Sequence, residues 1–279
     1  MENCVRTVQS ALLQSALQLG MPHVIQANSS LNQKFDIQAT VAPADTDTFA
    51  MKYVAIGNGG HKLVTGVNGI STPEPIQHSP TDAALFNHLP FVLRLPNQDL
   101  TAAQRANYRL RRIESINGTS YVAYYLKVID LSLTLPGLEL RTVQNGIMTS
   151  TPYAPQLSDL SPTPPAISSG GVITTSGNFI AATSKVDFTL SADDITELLN
   201  VSNILYSSDS FALISEIGLC SGVDRAVTGD FNGTSAGYTE VIGAQVMNFI
   251  DSFFPAKFNN NGLSLSFDVG QLEPLMTLK

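Results

Sequence analysis

Apolar positions along the chain change their period several times, and each change predicts an element. Between residues 4 and 19, Val5, Val8, Leu12, Ala16 and Leu19 recur at steps of three and four, the signature of one apolar helix face. Gly20 and Pro22 come next, residues that end helices because glycine accepts a left-handed conformation and proline cannot continue the ladder. Such a helix serves as a lid on its own core or as an arm laid on a neighbour, and the lid is the first expectation. From Phe35 the period falls to two: Phe35, Ile37, Ala39 and Val41 alternate with polar residues and predict a half-buried strand. A second strand spans 51–57, is broken by Gly57-Asn58-Gly59-Gly60, and has 61–66 placed to pair with it. Residues 68–90 hold Pro73, Pro75, Pro80 and Pro90 and read as a long ordered loop before a short strand over 91–95.

Thr101 and Gln104 have the spacing of a capping box, so one helical turn is expected over 101–107. The strongest local signal comes next. Strand-like runs over 108–116 and 119–131 flank Asn117-Gly118, a dipeptide suited to the two positive-φ positions of a tight hairpin turn. A second hairpin joins 138–143 to 147–151 through Asn145-Gly146. Residues 152–165 contain five prolines and predict a linker or crossover. Strands are then expected over 171–175 and 185–190, and Ser191 caps a helix running to about Asn200, with Asp193 and Asp194 in its first turn. Strands at 211–219, 240–249 and 263–269 complete the series, with 224–237 between the first two read as a Gly/Asn/Thr-rich loop.

The pattern predicts a mainly β protein of antiparallel β-sandwich domains with an N-terminal helix and one or two short helices. It divides into an N-terminal helical arm (1–30), a β domain with the long loop and both hairpins (31–151), a Pro-rich linker or crossover (152–166), and a second β domain (167–279) that is free to share a sheet with the first.

Composition changes the picture in one direction. The 279 residues are 43% hydrophobic but only 14% charged, and 15 Lys+Arg against 23 Asp+Glu give a net charge of -8. Globular proteins carry about 25% charged residues. A surface this poor in charge suits strands and protein contact better than solvated helices, and the acidic balance argues against wholesale binding to nucleic acid or an anionic membrane. No signal peptide and no membrane-spanning run is read, and Cys4 and Cys220 signal neither a disulfide framework nor a zinc site.

Candidate chemistry is sparse. Gly233-Thr234-Ser235-Ala236-Gly237 matches a nucleophile-elbow pattern, but the segment after it is strand-like and no histidine occurs after His88. Gly57-Asn58-Gly59-Gly60 lacks the remaining residues of a phosphate-binding loop. Asp224, Asp230 and Asn232 do not fit calcium-loop spacing, and His23, His61, His78 and His88 are scattered. No catalytic residue, cofactor or metal is expected. One charge feature stands out: Arg105, Arg109, Arg111 and Arg112, with Arg94 upstream, are interleaved with Tyr108, Tyr121, Tyr124 and Tyr125 around the first hairpin. Arg and Tyr are the side chains enriched as anchors in protein interfaces. Arg105, Tyr108, Arg109, Arg111, Arg112, Tyr121 and Tyr124 are therefore the candidate interface.

Several segments taken together, 51–60 (MKYVAIGNGG), 104–113 leading into 121–130, 152–165, 215–222 (SEIGLCSG), 238–249 and 263–274, resemble virion structural proteins of large tailed bacteriophages. The set is similar to the β-sandwich baseplate wedge subunits of contractile tails, with 53–58 and 215–218 standing where those proteins have an early "fitFGr" strand and a late "sEiGl" strand. The resemblance implies a virion subunit of the tail or baseplate, assembled in the host cytoplasm. Its partners would be other tail or baseplate proteins and further copies of itself, without direct nucleic-acid binding or membrane insertion. The alternatives are a carbohydrate- or receptor-binding β module of a phage fibre or adhesin, disfavoured by the lack of Trp, and a hydrolase built on Ser235 or on the acidic loop.

Overall fold

The computed structural model describes residues 4–132, 134–162, 173–231, 233–258 and 262–278. Along the chain the elements are β1 (Cys4–Arg6), α1 (Val8–Leu19), α2 (Leu31–Lys34), β2 (Ala50–Gly57), β3 (His61–Thr65), β4 (Ser71–Pro75), β5 (His88–Leu89) and β6 (Val92–Arg94). They continue with α3 (Ala102–Arg105), β7 (Arg111–Ile116), β8 (Thr119–Tyr124), β9 (Lys127–Val128), β10 (Gly137–Gln144) and β11 (Ile147–Pro152). The last are β12 (Ile173–Leu190), α4 (Ala192–Tyr206), β13 (Leu213–Phe231), β14 (Thr234–Pro255) and β15 (Leu263–Leu278). The protein is mainly β, its sheets are antiparallel, and it has few helices, one of them N-terminal, as the hydrophobic pattern predicts.

The chain forms two compact units, each assembled from separated stretches: Met1–Ile129 with Thr189–Leu263, and Asp130–Phe188 with Ser264–Lys279. The expected linker at 152–166 falls inside the second unit, and its residues 163–166, like 171 and 172 of an expected strand, lie outside the described residues.

The first unit is built on a six-stranded sheet in the order β1-β14-β13-β2-β5, with β9 also paired to β2. β13 is its central strand, buried continuously from Ile214 to Val223. A three-stranded sheet, β6-β8-β7, contributes Leu93 and Ala123 to the same core cluster that holds Tyr53, Ala55, Cys220 and Phe249 of the larger sheet, which is the two-layer burial expected of a sandwich. In the second unit β11-β10-β12-β15 form a four-stranded sheet. Along β15 Leu263, Leu265, Phe267 and Val269 are half-buried while Ser264, Ser266 and Asp268 are exposed, a period of two that divides apolar from polar face. Arg141 of β10 is buried among Glu139, Thr183 and Asp268 on the polar side.

Four expectations are corrected. The alternation at 35–41 is no strand: Asp36 and Gln38 have positive φ (55° and 51°), so the backbone turns twice and still buries Phe35 and Ile37. β3 pairs with β4, inside the expected loop, and not with β2. In place of the expected loop at 224–237, residues 224–231 of β13 and 234–241 of β14 form a paired ribbon, in register from Asp224↔Val241 to Phe231↔Thr234, with alternate residues of β13 half-buried. Finally, α1 buries Gln9 and Leu13, whereas Val8, Leu12 and Leu19 of the expected core face are exposed.

Candidate interaction surfaces and the buried acid of β13

The β7–β8 hairpin closes at Asn117 (φ 51°) and Gly118 (φ 79°), the backbone that Asn-Gly accepts without strain. Arg111 of this hairpin turns inward. Tyr124 is buried and donates through its hydroxyl to Asp99 Oδ1 at 2.6 Å, and Arg111 Nη2 pairs with Asp99 Oδ2 at 2.9 Å. Burial works against the Arg111 charge, but Asp99 and Tyr124 outweigh it and raise its pKa. Arg105 and Arg111 lie over the Phe231 ring at the end of the ribbon, 3.8 and 4.5 Å from its centroid, and Tyr238 meets the same ring edge-on. Arg109 Nε pairs with Asp224 Oδ1 at 3.1 Å, beside the Tyr53 hydroxyl (2.6 Å) and Lys52 (3.3 Å). Burial would raise the Asp224 pKa, but the Tyr53 hydrogen bond and the Arg109 and Lys52 charges hold it low.

Of the seven predicted interface residues, the structure thus brings Arg105, Arg111 and Tyr124 together around Asp99 and Phe231, with Arg109 at a neighbouring acid. Tyr108 is buried against Phe91 and Tyr124, and Tyr121 packs on the core. Arg112 sits apart, 6.0 Å over Phe35, in an open polar groove of about 450 Å³ with Gln38, Tyr238 and Glu240. Buried tyrosines cannot present their faces to a partner. Tyr108 and Tyr124 are therefore withdrawn from the expected contact surface, whereas Arg105, Arg109, Arg111, Arg112 and Tyr121 stay partly exposed.

A residue with no assigned role is the best-built polar centre. Glu216, on β13, is fully buried in an apolar strand, and its carboxylate accepts four hydrogen bonds. Oε1 takes the N–H groups of Gly59 (3.0 Å) and Asn87 (2.9 Å); Oε2 takes the Phe86 N–H (3.0 Å) and His78 Nε2 (2.9 Å). His78 Nδ1 faces Asp82 Oδ2 at 2.9 Å, and the ring is stacked between Phe86 (4.0 Å) and Phe249 (3.8 Å). A neutral imidazole has one N–H, so a carboxylate oxygen at each nitrogen favours the doubly protonated form. Burial alone would lower the His78 pKa, but the hydrogen bonds to Glu216 and Asp82 prevail and raise it. The close glycines are part of this cradle. A Cβ on Gly60 would lie 2.4 Å from the Ser215 carbonyl oxygen, and one on Gly59 would lie 2.8 Å from the Asn87 nitrogen. Glu216 therefore ties the 57–60 turn and the 78–88 loop to the central strand. Its carboxylate oxygens are fully engaged by these four donors. The signal in the sequence is a single carboxylate inside the run Phe211–Leu219 of otherwise apolar and small residues.

The remaining motifs carry less. Gly233–Gly237 crosses from the ribbon tip into β14, with Ser235 opposite Asp230, so it makes no strand-to-helix elbow. Asp230 accepts from the Gly233 N–H at 2.6 Å, and Asn232 lies outside the described residues. Ser191 and Asp194 form the capping box of α4, and Asp194 and Glu197 also pair with Lys127 and Arg94. Among the described residues no group of three or more His, Cys, Asp or Glu side chains could hold a metal ion, and no helix is long and apolar enough to cross a membrane.

α1 reverses this distribution. Its twelve residues contain no charged side chain, and Val8, Leu12 and Leu19 are 47, 40 and 75% exposed. The helix is nonetheless fixed: Thr7 caps it, Thr7 Oγ1 donates to the Val246 carbonyl at 2.8 Å, and Leu13 packs with Phe49, Ile242 and Met247.

These features define an antiparallel-β protein in which Asp99, Asp224 and Glu216 are each hydrogen-bonded within the chain. The full length, residues 1–279, matches the model of one protein family, and the chain belongs to it: DUF7208, a family of unknown function. Neither a curated protein nor a solved structure matches the chain.

Proposed function

We propose that this protein is a structural subunit of a bacteriophage virion, placed in the tail or baseplate, that acts through fixed contacts with neighbouring proteins and without catalysis. One observation carries the reading. The charged side chains of the clusters described above are engaged within the chain, while large apolar side chains stand in solvent on elements without charge: Val8, Leu12 and Leu19 on α1, Ile147 and Met148 on β11. Apolar surface left open on elements that could have been charged marks a place for another protein. The tail assignment rests on the resemblance of 51–60, 104–113, 121–130, 152–165, 215–222, 238–249 and 263–274 to wedge-like virion proteins. In such an assembly identical contacts repeat around a symmetry axis, and rigid sheets transmit position through them.

The test is localisation. An antibody to the chain, detected by gold labelling in electron micrographs of phage particles from the source culture, is expected to mark the tail or its baseplate. Label confined to the host lysate, with bare particles, would overturn the proposal.

A further inference from the structure

We infer that two copies of this chain join edge to edge through β7, antiparallel across a two-fold axis at Ile113. The inference goes beyond the structural-subunit reading and is carried by the strand itself.

β7 is the outer strand of the β6-β8-β7 sheet, so among the described residues one of its edges has no strand against it. The Asn117-Gly118 turn sets which residues look that way. A two-residue turn makes Ile116 and Thr119 its closing hydrogen-bonded pair, and the pattern then alternates. Ile116, Glu114 and Arg112 bond to β8, while Ser115, Ile113 and Arg111 direct their backbone groups outward. The Arg111 N–H shows this phase, because it donates to Glu240 Oε1 at 3.3 Å. Beyond Arg111 the edge is bare: among the described residues nothing bonds the N–H or carbonyl of Ile113 or Ser115. The open groove of about 450 Å³ beside Arg111, Arg112 and Ile113 leaves room for an added strand. Unpaired edge groups of this kind are met by an extended backbone.

Charge selects the occupant. Arg112 and Glu114, two positions apart, share one face of β7. Arg112 lies 6.0 Å over the Phe35 ring and Glu114 accepts the Tyr125 hydroxyl, and among the described residues neither belongs to an ion pair. Antiparallel pairing about Ile113 sets Arg112 of each copy directly opposite Glu114 of the other, so the strand is its own complement. On the other face Ile113, 53% exposed, meets its own copy. The two Ile113 residues exchange both backbone bonds, and each Ser115 N–H reaches the Arg111 carbonyl of the other copy, which leaves the Arg111–Glu240 bond in place. Other registers lose this match. A shift that centres the pair on Arg112 or Glu114 brings inward-pointing groups to the edge. Centring on Ser115 sets Glu114 against Ile116 and runs into the turn, and centring on Arg111 needs the N–H that Glu240 holds.

The experiment is sedimentation velocity on the full chain over a range of concentrations, with circular dichroism to show that each variant folds. The wild type is expected to dimerise. Arg112→Glu sets like charges opposite each other and should raise the dissociation constant about tenfold or more. The exchange Arg112→Glu/Glu114→Arg restores opposite charges across the axis and should restore the dimer, a recovery that a folding defect does not produce. Should the charge changes impair folding, cysteine pairing in a Cys4→Ser background gives the answer, since Cys220 is buried. Ile113→Cys should crosslink two chains on mild oxidation, and Ser120→Cys, on the neighbouring β8, should not. A monomeric wild type overturns the second copy as occupant. A dimer indifferent to Arg112→Glu, or equal crosslinking at both cysteines, overturns β7 as the surface. A folded double variant that stays monomeric overturns the register. None of these results bears on the virion assignment, which the gold labelling decides.

Discussion

Glu216 and α1 invert the usual distribution of residues. In the 57–60 and 78–88 cradle a carboxylate, an imidazole and three backbone N–H groups are buried together and satisfied. On α1 leucines and a valine stand in water on a helix without a charge. The difference teaches how the two kinds of side chain are used: polar groups fix where the loops go, and apolar groups beyond the core are left for contacts. A buried charge costs several kcal/mol unless it is fully paired, so the cradle can be disturbed only at a large cost. The α1 stripe is free of that constraint.

The contrast can be broken at five places. Glu216→Ala strips three backbone donors of their acceptor and leaves the His78 cation facing Asp82 alone. It should lose about 3–5 kcal/mol in urea denaturation, and a loss below ~1 kcal/mol would mean that the cradle holds nothing. His78→Gln should cost about 1–3 kcal/mol at pH 6. Because the His78 pKa is raised in the fold, its contribution is complete below the ordinary value of about 6.5 and fades as pH climbs through the folded value. The gap in melting temperature between wild type and variant should therefore narrow toward alkaline pH. His88 has the opposite sign: burial, with the Lys34 and His78 charges, pushes its pKa down to about 3, so its contribution is present above about 6.5 and is lost on acidification.

Phe231→Ala removes the ring under Arg105 and Arg111 and should cost about 1–2 kcal/mol, with faster amide exchange along 224–240 as the readout. Asn117→Ala forces a positive φ on a residue that resists it and should cost about 1 kcal/mol by the same denaturation assay. Leu19→Gln on α1 should change the stability of the isolated chain, measured at dilution, by less than about 0.5 kcal/mol, since its side chain is open to water there. A loss as large as that of Phe231→Ala would show that α1 is covered within its own chain and erase the contrast.

Where local chemistry decides, the sequence was legible. Both Asn-Gly hairpins form, with φ of 51° and 79° in one and 53° and 77° in the other, and the capping boxes at Thr101 and Ser191 are in place. Where partners distant in sequence decide, it was not. Residues 35–41 have a strand's alternation, but two left-handed residues make the same burial pattern from a turn. The stretch 224–237 looks like a loop because its Gly, Asp and Asn disfavour strands, and pairing along the register to Phe231 overrides them. The Arg/Tyr interleaving is visible, but not that Asp99, Asp224 and Phe231 would absorb it. Glu216 was hidden for the same reason: its four partners lie 129 to 157 residues away along the chain. On α1 the spacing was right and its meaning reversed, because periodicity locates an apolar face without saying what covers it.

The discontinuous make-up of the smaller unit sets an order on synthesis. Its first three strands, β10, β11 and β12, leave the ribosome while the larger unit still lacks α4, β13 and β14, and β15 emerges only after those. During that interval the edge of β12 that β15 will occupy is bare, and Ile180, on that strand, is poorly shielded. The smaller unit's sheet is therefore complete only once residues 263–278 have left the ribosome.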